Sequence, residues 1–220
     1  VEISFMPSAA GGRSATLNIA SDDPEMPGVT VALSGQGNDG SDDVLEVLLD
    51  LEGQTDIKAS GSSLPLSGSI ATQLELATGM FEADLALAPT QGQFKIPLLF
   101  KSLTANAKVT FEQADITTGT LINGNLTANS SLYVEVPKVT VRLFGLKIPV
   151  GGGKDCRTAD PVNIELASVE GTNFSLSEGG DVTGNYTLPP LQNCGPLTDV
   201  LNQFLAGPDN GIDLTLTPNL

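Results

Sequence analysis

Along most of this chain apolar and polar residues alternate with a period of two, the pattern of β-strands with one buried face. Val1-Glu2-Ile3-Ser4-Phe5 alternates, Pro7 to Gly12 makes a turn, and Ala15-Thr16-Leu17-Asn18-Ile19 alternates again. Ser21-Asp22-Asp23-Pro24 turns once more, and Val29-Thr30-Val31-Ala32-Leu33 runs into Ser34-Gly35-Gln36-Gly37. Three short strands with Gly, Pro and Asp punctuation are about half of what a two-sheet sandwich needs. The segment that follows, from Asn38 to Asp43, is acidic and holds no apolar residue. It reads as a linker between a partial β unit at 1–37 and a larger domain at 44–220.

The segment Val44 to Leu51 is ambiguous: Val44, Leu45, Val47, Leu48 and Leu51 fit one helical face, which Asp42-Asp43 would suit as an N-terminus, and a buried strand is nearly as good a reading. Beyond Ile57 the alternation dominates. Ser67 to Leu76 and Met80 to Leu87 flank the turn Ala77-Thr78-Gly79 as a hairpin. Further strands are predicted at Leu103–Phe111, Thr120–Leu126, Ser131–Val136, Val139–Val150, Val162–Leu166, Val182–Leu188 and Ile212–Leu216. Pro137 reads as a break or an edge marker. A loose echo places Gly68, Gly119 and Gly184 just before alternating residues, which turn chemistry explains. One helix is predicted near the end. Pro196 sits in its first turn, Leu197, Val200, Leu201, Phe204 and Leu205 form its apolar stripe, and Gly207-Pro208 ends it. The expected fold is mostly β, with a large antiparallel domain (sandwich or barrel) and one short C-terminal helix.

Charge changes the functional picture. Ten basic against 26 acidic residues give a net −16. That field repels phosphate backbones and anionic lipid surfaces, so neither nucleic acid nor a polybasic membrane contact is expected. No apolar run reaches the roughly 20 residues of a membrane-spanning helix. Scarce Lys and abundant Gly, Thr, Ser, Asn and Pro suit an exported, extracellular or cell-surface protein. Cys156 and Cys194 lie among polar turn residues and are expected to form a disulfide in an oxidising compartment. The sequence contains no His. That removes Ser-His and Cys-His catalysis and His-based metal sites, and Gly151-Gly152-Gly153-Lys154 lacks the rest of a phosphate loop. A non-catalytic protein without a cofactor is expected.

Two candidate sites remain. Asn38, Asp39, Asp42 and Asp43 cluster in the linker, and calcium is the cation their hard oxygens would suit, against a plain solvated acidic segment. Phe94-Lys95-Ile96-Pro97-Leu98-Leu99-Phe100 and Leu143-Phe144-Gly145-Leu146-Lys147-Ile148-Pro149-Val150 are related apolar ribbons, each with one Lys. Phe94, Lys95, Phe100, Phe144 and Lys147 would line a site for an apolar ligand with an acidic head group. The other reading, which the pattern favours, is core strands whose Lys reach outward.

Residues 1–37 resemble the closing strands of the ASH-type immunoglobulin-like repeat of bacterial "choice-of-anchor D" surface proteins. The likeness rests on Val1-x-Ile3-x-Phe5-x-Pro7, Gly12-x-x-x-Ala15-x-Leu17-x-Ile19-x-Ser21-x-Asp23-Pro24 and Val29-x-Val31-x-Leu33-Ser34-Gly35-x-Gly37. The resemblance implies a spacer or assembly module, and here the N-terminal strands of the repeat are missing. A partial immunoglobulin-like sandwich would associate by strand augmentation, with other copies of itself or with neighbouring surface-protein domains. The leading expectation is therefore a structural subunit of a surface layer, filament or matrix. The alternative is a secreted carrier of a lipid or other apolar ligand in the domain 44–220.

Overall fold

The computed structural model describes residues 11–20, 22, 24, 27–37, 44–98 and 101–219, with backbone alone at 96–98, 101 and 102. The chain forms two compact units, Val1–Val44 and Leu45–Leu220. In the first, β1 (Gly11–Ala20) and β2 (Gly28–Gly37) pair antiparallel, from Gly11 opposite Gly37 to Ala20 opposite Gly28. Gly11 and Gly12, expected to close a turn, instead open β1. The expected strand Val1–Phe5 and the linker 38–43 lie outside the described residues.

The second unit is β-rich. Its strands are β3 (Val44–Ile57), β4 (Ser62–Glu75), β5 (Met80–Leu87), β6 (Thr90–Leu98), β7 (Lys101–Ile122), β8 (Asn125–Leu143), β9 (Leu146–Gly151), β10 (Arg157–Thr158), β11 (Val162–Ser168), β12 (Gly180–Leu188), β13 (Leu191–Gln192) and β14 (Gly207–Pro218). Hydrogen bonding runs β8-β11-β12-β14-β3-β4-β5-β7, and β7 pairs back onto β8. Eight antiparallel strands thus close on themselves as a barrel, which leaves no open edge in the ring. The ambiguous segment at Val44 is strand: alternate residues Leu49 and Leu51 are buried and Leu48 and Asp50 are exposed. Only a sheet neighbour on each side selects period two there.

The glycine echo has a different cause from the one its turn chemistry suggests. Gly68, Gly119 and Gly184 lie inside β4, β7 and β12, not in turns. Each occupies an inward position, Gly68 between Leu66 and Ile70, Gly119 between Thr117 and Leu121, and Gly184 between Val182 and Tyr186. A Cβ on Gly119 would collide with the Thr127 carbonyl and the Phe81 ring, and one on Gly184 with the Glu165 carbonyl. These are points where a neighbouring strand comes too close for any side chain, as a tightly coiled small barrel requires.

Pro137 does not break its strand. On β8, Glu135 faces Thr110 and Lys138 faces Lys108, so Val136 and Pro137 together oppose Val109. The extra residue is a β-bulge, a position a proline tolerates because no ladder N–H is needed there. It also switches the buried face from even to odd numbers, so that Leu132, Val136, Val139 and Val141 are all buried.

Beyond the bulge, β7 and β8 run on out of the barrel and pair with β6 and β9. A second core forms over this extension from Leu64, Phe94, Ala105, Val139, Leu191 and Leu201 with the two cysteines. The predicted helix is present as α1 (Thr198–Leu205), entered through a 3-10 turn at Gly195–Leu197 that holds Pro196. Leu201 is completely buried, and Leu205 packs against both cores. The Asn202 side chain fixes α1 to β13: its amide donates to the Leu191 carbonyl (3.0 Å) and its oxygen accepts from the Leu191 N–H (2.7 Å). The expected disulfide joins Cys156 to Cys194, buried beneath α1.

Candidate functional site: an apolar cavity in the barrel

Alternation around a closed ring sends every second side chain of eight strands to one axis. Here the inward residues are mostly Leu, Val, Ile and Phe, and they leave a cavity of about 110 Å³. Leu49, Leu66, Phe81, Leu132, Val162 and Leu214 contribute to its wall. α1 covers one end of the barrel through Leu205. At the opposite end Phe174 and Leu176, from the loop between β11 and β12, line the cavity. That loop is held by the Phe174 N–H donating to Gly124 in the β7–β8 turn (2.8 Å).

No charged side chain lines the cavity among the described residues. Its polar groups are hydroxyls, and those of Thr55, Tyr186, Thr117 and Ser130 are paired with one another. Thr55 donates to the Gly211 carbonyl (2.8 Å), which leaves its oxygen to accept from the Tyr186 hydroxyl (2.7 Å). Burial of the Tyr186 phenol raises its pKa; the Thr55 hydrogen bond opposes this and the charge of Asp56 adds to it. The phenol is therefore a neutral donor to Thr55 with lone pairs left over. Thr117 donates to Ser130 (3.0 Å) on the other wall.

The ring has one thin seam. β5 and β7 pair only from Met80–Thr120 to Ala83–Thr117. Past that point the Gln113 side chain replaces the ladder: its oxygen accepts from the Leu85 N–H (2.7 Å) and its amide donates to the Ala83 carbonyl (3.1 Å). Bulges in β7 around Ala114 and Ile116 turn Gln113 toward β5. Nothing in the alternation of the sequence distinguishes this Gln from a surface one.

The residues chosen from the apolar ribbons fall elsewhere. Phe94 is buried in the second core and lines a smaller cavity of about 60 Å³ there. Lys95 and Lys147 are exposed, Phe144 stands at the tip of the β8–β9 hairpin, and Phe100 lies outside the described residues. None of the described four touches the barrel cavity. Asn38, Asp39, Asp42 and Asp43 also lie outside the described residues, among which no group of three metal-binding side chains is found. Sequence reasoning missed the cavity because its lining is spread over every strand of the ring. Only the count of alternating strands could have pointed to it.

Comparison with protein-family models, with curated proteins and with solved structures finds no match for this chain.

Proposed function

We propose that the barrel is a binding site for a small neutral apolar ligand, or for the end of a hydrocarbon chain, and that the protein is a carrier. The observation that supports this reading is the uncharged cavity at the barrel axis. Left empty, a void of 110 Å³ costs roughly 2–3 kcal/mol at about 24 cal/mol per Å³. That is a large fraction of the stability of an ordinary domain, and an apolar occupant recovers it. The disulfide agrees with an extracellular or cell-surface setting, where such bonds persist.

The test is solvent extraction and mass spectrometry of the purified protein, with titration of a fluorescent apolar probe. An apolar molecule should co-purify, or the probe should bind at one site. Ala128→Phe, which fills the cavity from β8, should abolish binding while leaving thermal stability equal or higher. Probe binding unchanged by Ala128→Phe in a folded variant would refute a ligand site inside the barrel.

A second reading, structural assembly, has its own support. Among the described residues β1 and β2 form a ribbon of two strands with no third partner, and Ile19, Val29 and Val31 are exposed on it. Isolated two-stranded ribbons are marginal in water and gain from an added strand. Light scattering across a concentration series separates the two. Growth into filaments or higher oligomers favours assembly with other copies or neighbouring domains, and a monomer at all concentrations removes it.

A further inference from the structure

The charges of this acidic protein are segregated. Residues 85–111 and 136–154 contain Lys95, Lys101, Lys108, Lys138, Arg142, Lys147 and Lys154 and no Asp or Glu. Those seven of the ten basic residues fall in the β6-β7-β8-β9 extension and the loop that follows it. Side-chain alternation then sorts them by face. Phe94, Ala105, Ala107, Val139 and Val141 point into the second core, so Lys95, Lys108, Lys138 and Arg142 stand on the outer face, with Lys147 opposite Arg142. All five are exposed. Two like-charge pairs sit directly across strands, Lys108 with Lys138 and Arg142 with Lys147, an arrangement that destabilises a sheet. The ion pairs of the described residues hold Lys58 to Asp209 and Arg157 to Glu112, and neither relieves this face.

At the end of the same sheet the β8–β9 hairpin turns through Phe144-Gly145, between the paired residues Leu143 and Leu146. Both turn residues have positive φ, 50° and 82°. The β7–β8 hairpin makes the same two-residue turn with Asn123-Gly124, at 52° and 79°. Asn-Gly is the pair that such a turn prefers, and an aromatic at its first position is strained. Phe144 gains no packing in return, because it is 96% exposed, and Leu146 beside it is 69% exposed. A strained, bare aromatic at the tip of a basic sheet is unexplained by folding and points to a contact outside the chain.

We infer that this sheet docks on an anionic lipid bilayer, with Phe144 and Leu146 inserted at the headgroup level and the basic face against the acidic headgroups. The chemistry is that of interfacial anchors, in which a few apolar side chains enter the boundary and Lys and Arg behind them meet the surface potential. The net −16 does not oppose it at contact range. At physiological salt, charges further than about 8 Å are largely screened, so the bilayer meets the local face rather than the sum. The inference is independent of what the barrel holds.

The experiment is cosedimentation of the full chain with phosphatidylcholine vesicles, with and without phosphatidylserine. The chain should sediment with the serine-containing vesicles and not with the neutral ones, and added salt should weaken it. Phe144→Asn places the favoured residue in the turn and should fold at least as well, yet partition about tenfold less. Arg142→Gln with Lys147→Gln should lower partitioning by a similar factor or more. No sedimentation, or sedimentation that neither variant alters, overturns the inference. So does binding to duplex DNA or to a second copy of the chain in the absence of vesicle binding.

Discussion

Tyr186 is the one titratable group among the described residues that line the barrel cavity. Its phenol donates to Thr55 and is held neutral by burial, so its pKa lies above the ordinary value of about 10. A group whose folded pKa is raised stabilises the fold below its unfolded pKa and loses that contribution as pH rises through the folded value. Urea midpoints should therefore fall more steeply above about pH 10 in the parent than in Tyr186→Phe, and the two curves should run parallel at lower pH. Parallel curves throughout would mean that the phenol is not buried. Gly119 sets a steric limit of the same local kind. Gly119→Ala drives a methyl into the Thr127 carbonyl and the Phe81 ring and should cost about 1–3 kcal/mol, read from chemical denaturation. Neither residue was legible as special in the sequence. Tyr186 is one more residue of an alternating strand, and Gly119 had the look of a turn residue because close approach by another strand leaves no local mark.

At the scale of elements, most strands were readable because burial on one face imposes a strict period of two. The strands expected at Thr120–Leu126 and Val139–Val150, however, each enclose a hairpin turn, at Asn123-Gly124 and Phe144-Gly145. The hairpin Ser67–Leu87 forms with Ile70 opposite Leu85 and Leu74 opposite Phe81, all four lining the barrel cavity. Reading failed where the period is interrupted by pairing. The bulge at Val136-Pro137 shifts the buried face by one residue, and a lone sequence offers only the proline, whose meaning depends on the strand across from it. α1 was legible from its stripe, and so was its role as a lid on a β core, whereas its anchoring through Asn202 to Leu191 and the contact of Leu205 with two cores were not, because both depend on distant strands. The disulfide sets how firmly this cover is held. It ties residues 38 apart in sequence and lies in the second core with Leu201 of α1. Replacing both cysteines, Cys156→Ala with Cys194→Ala, should lower stability by about 4 kcal/mol on the chain-entropy estimate. Hydrogen exchange should show the loss first in 191–205, ahead of the barrel strands, because the eight-stranded ring keeps its own pairing.

The whole molecule separates two kinds of surface that the composition averages away. Charge is excluded from the barrel axis, and seven of the ten basic residues gather in the β6–β9 extension and the loop after it, while the acidic residues occupy the rest of the chain. This separation constrains the ligand more sharply than the volume does. A fatty acid drawn fully inside would place a carboxylate among Leu, Val and Phe with no cation to pair it, at a cost of several kcal/mol or protonation of the acid. A neutral hydroxyl meets no such penalty. Tyr186 has spent its proton on Thr55 and keeps lone pairs that can accept from an alcohol. With a fluorescent probe in the cavity, medium-chain alcohols should displace it about tenfold better than carboxylic acids of the same chain length at pH 7. The gap should close as pH falls through the carboxylate range near 4–5 and the acids become neutral. Tyr186→Phe should remove much of the preference for alcohol over alkane without changing the order of alkane lengths. Acids that compete as well as alcohols at pH 7 would place the head group outside the barrel. Only the hydrocarbon would then reach the cavity, and the polar half of the ligand would belong to the rim.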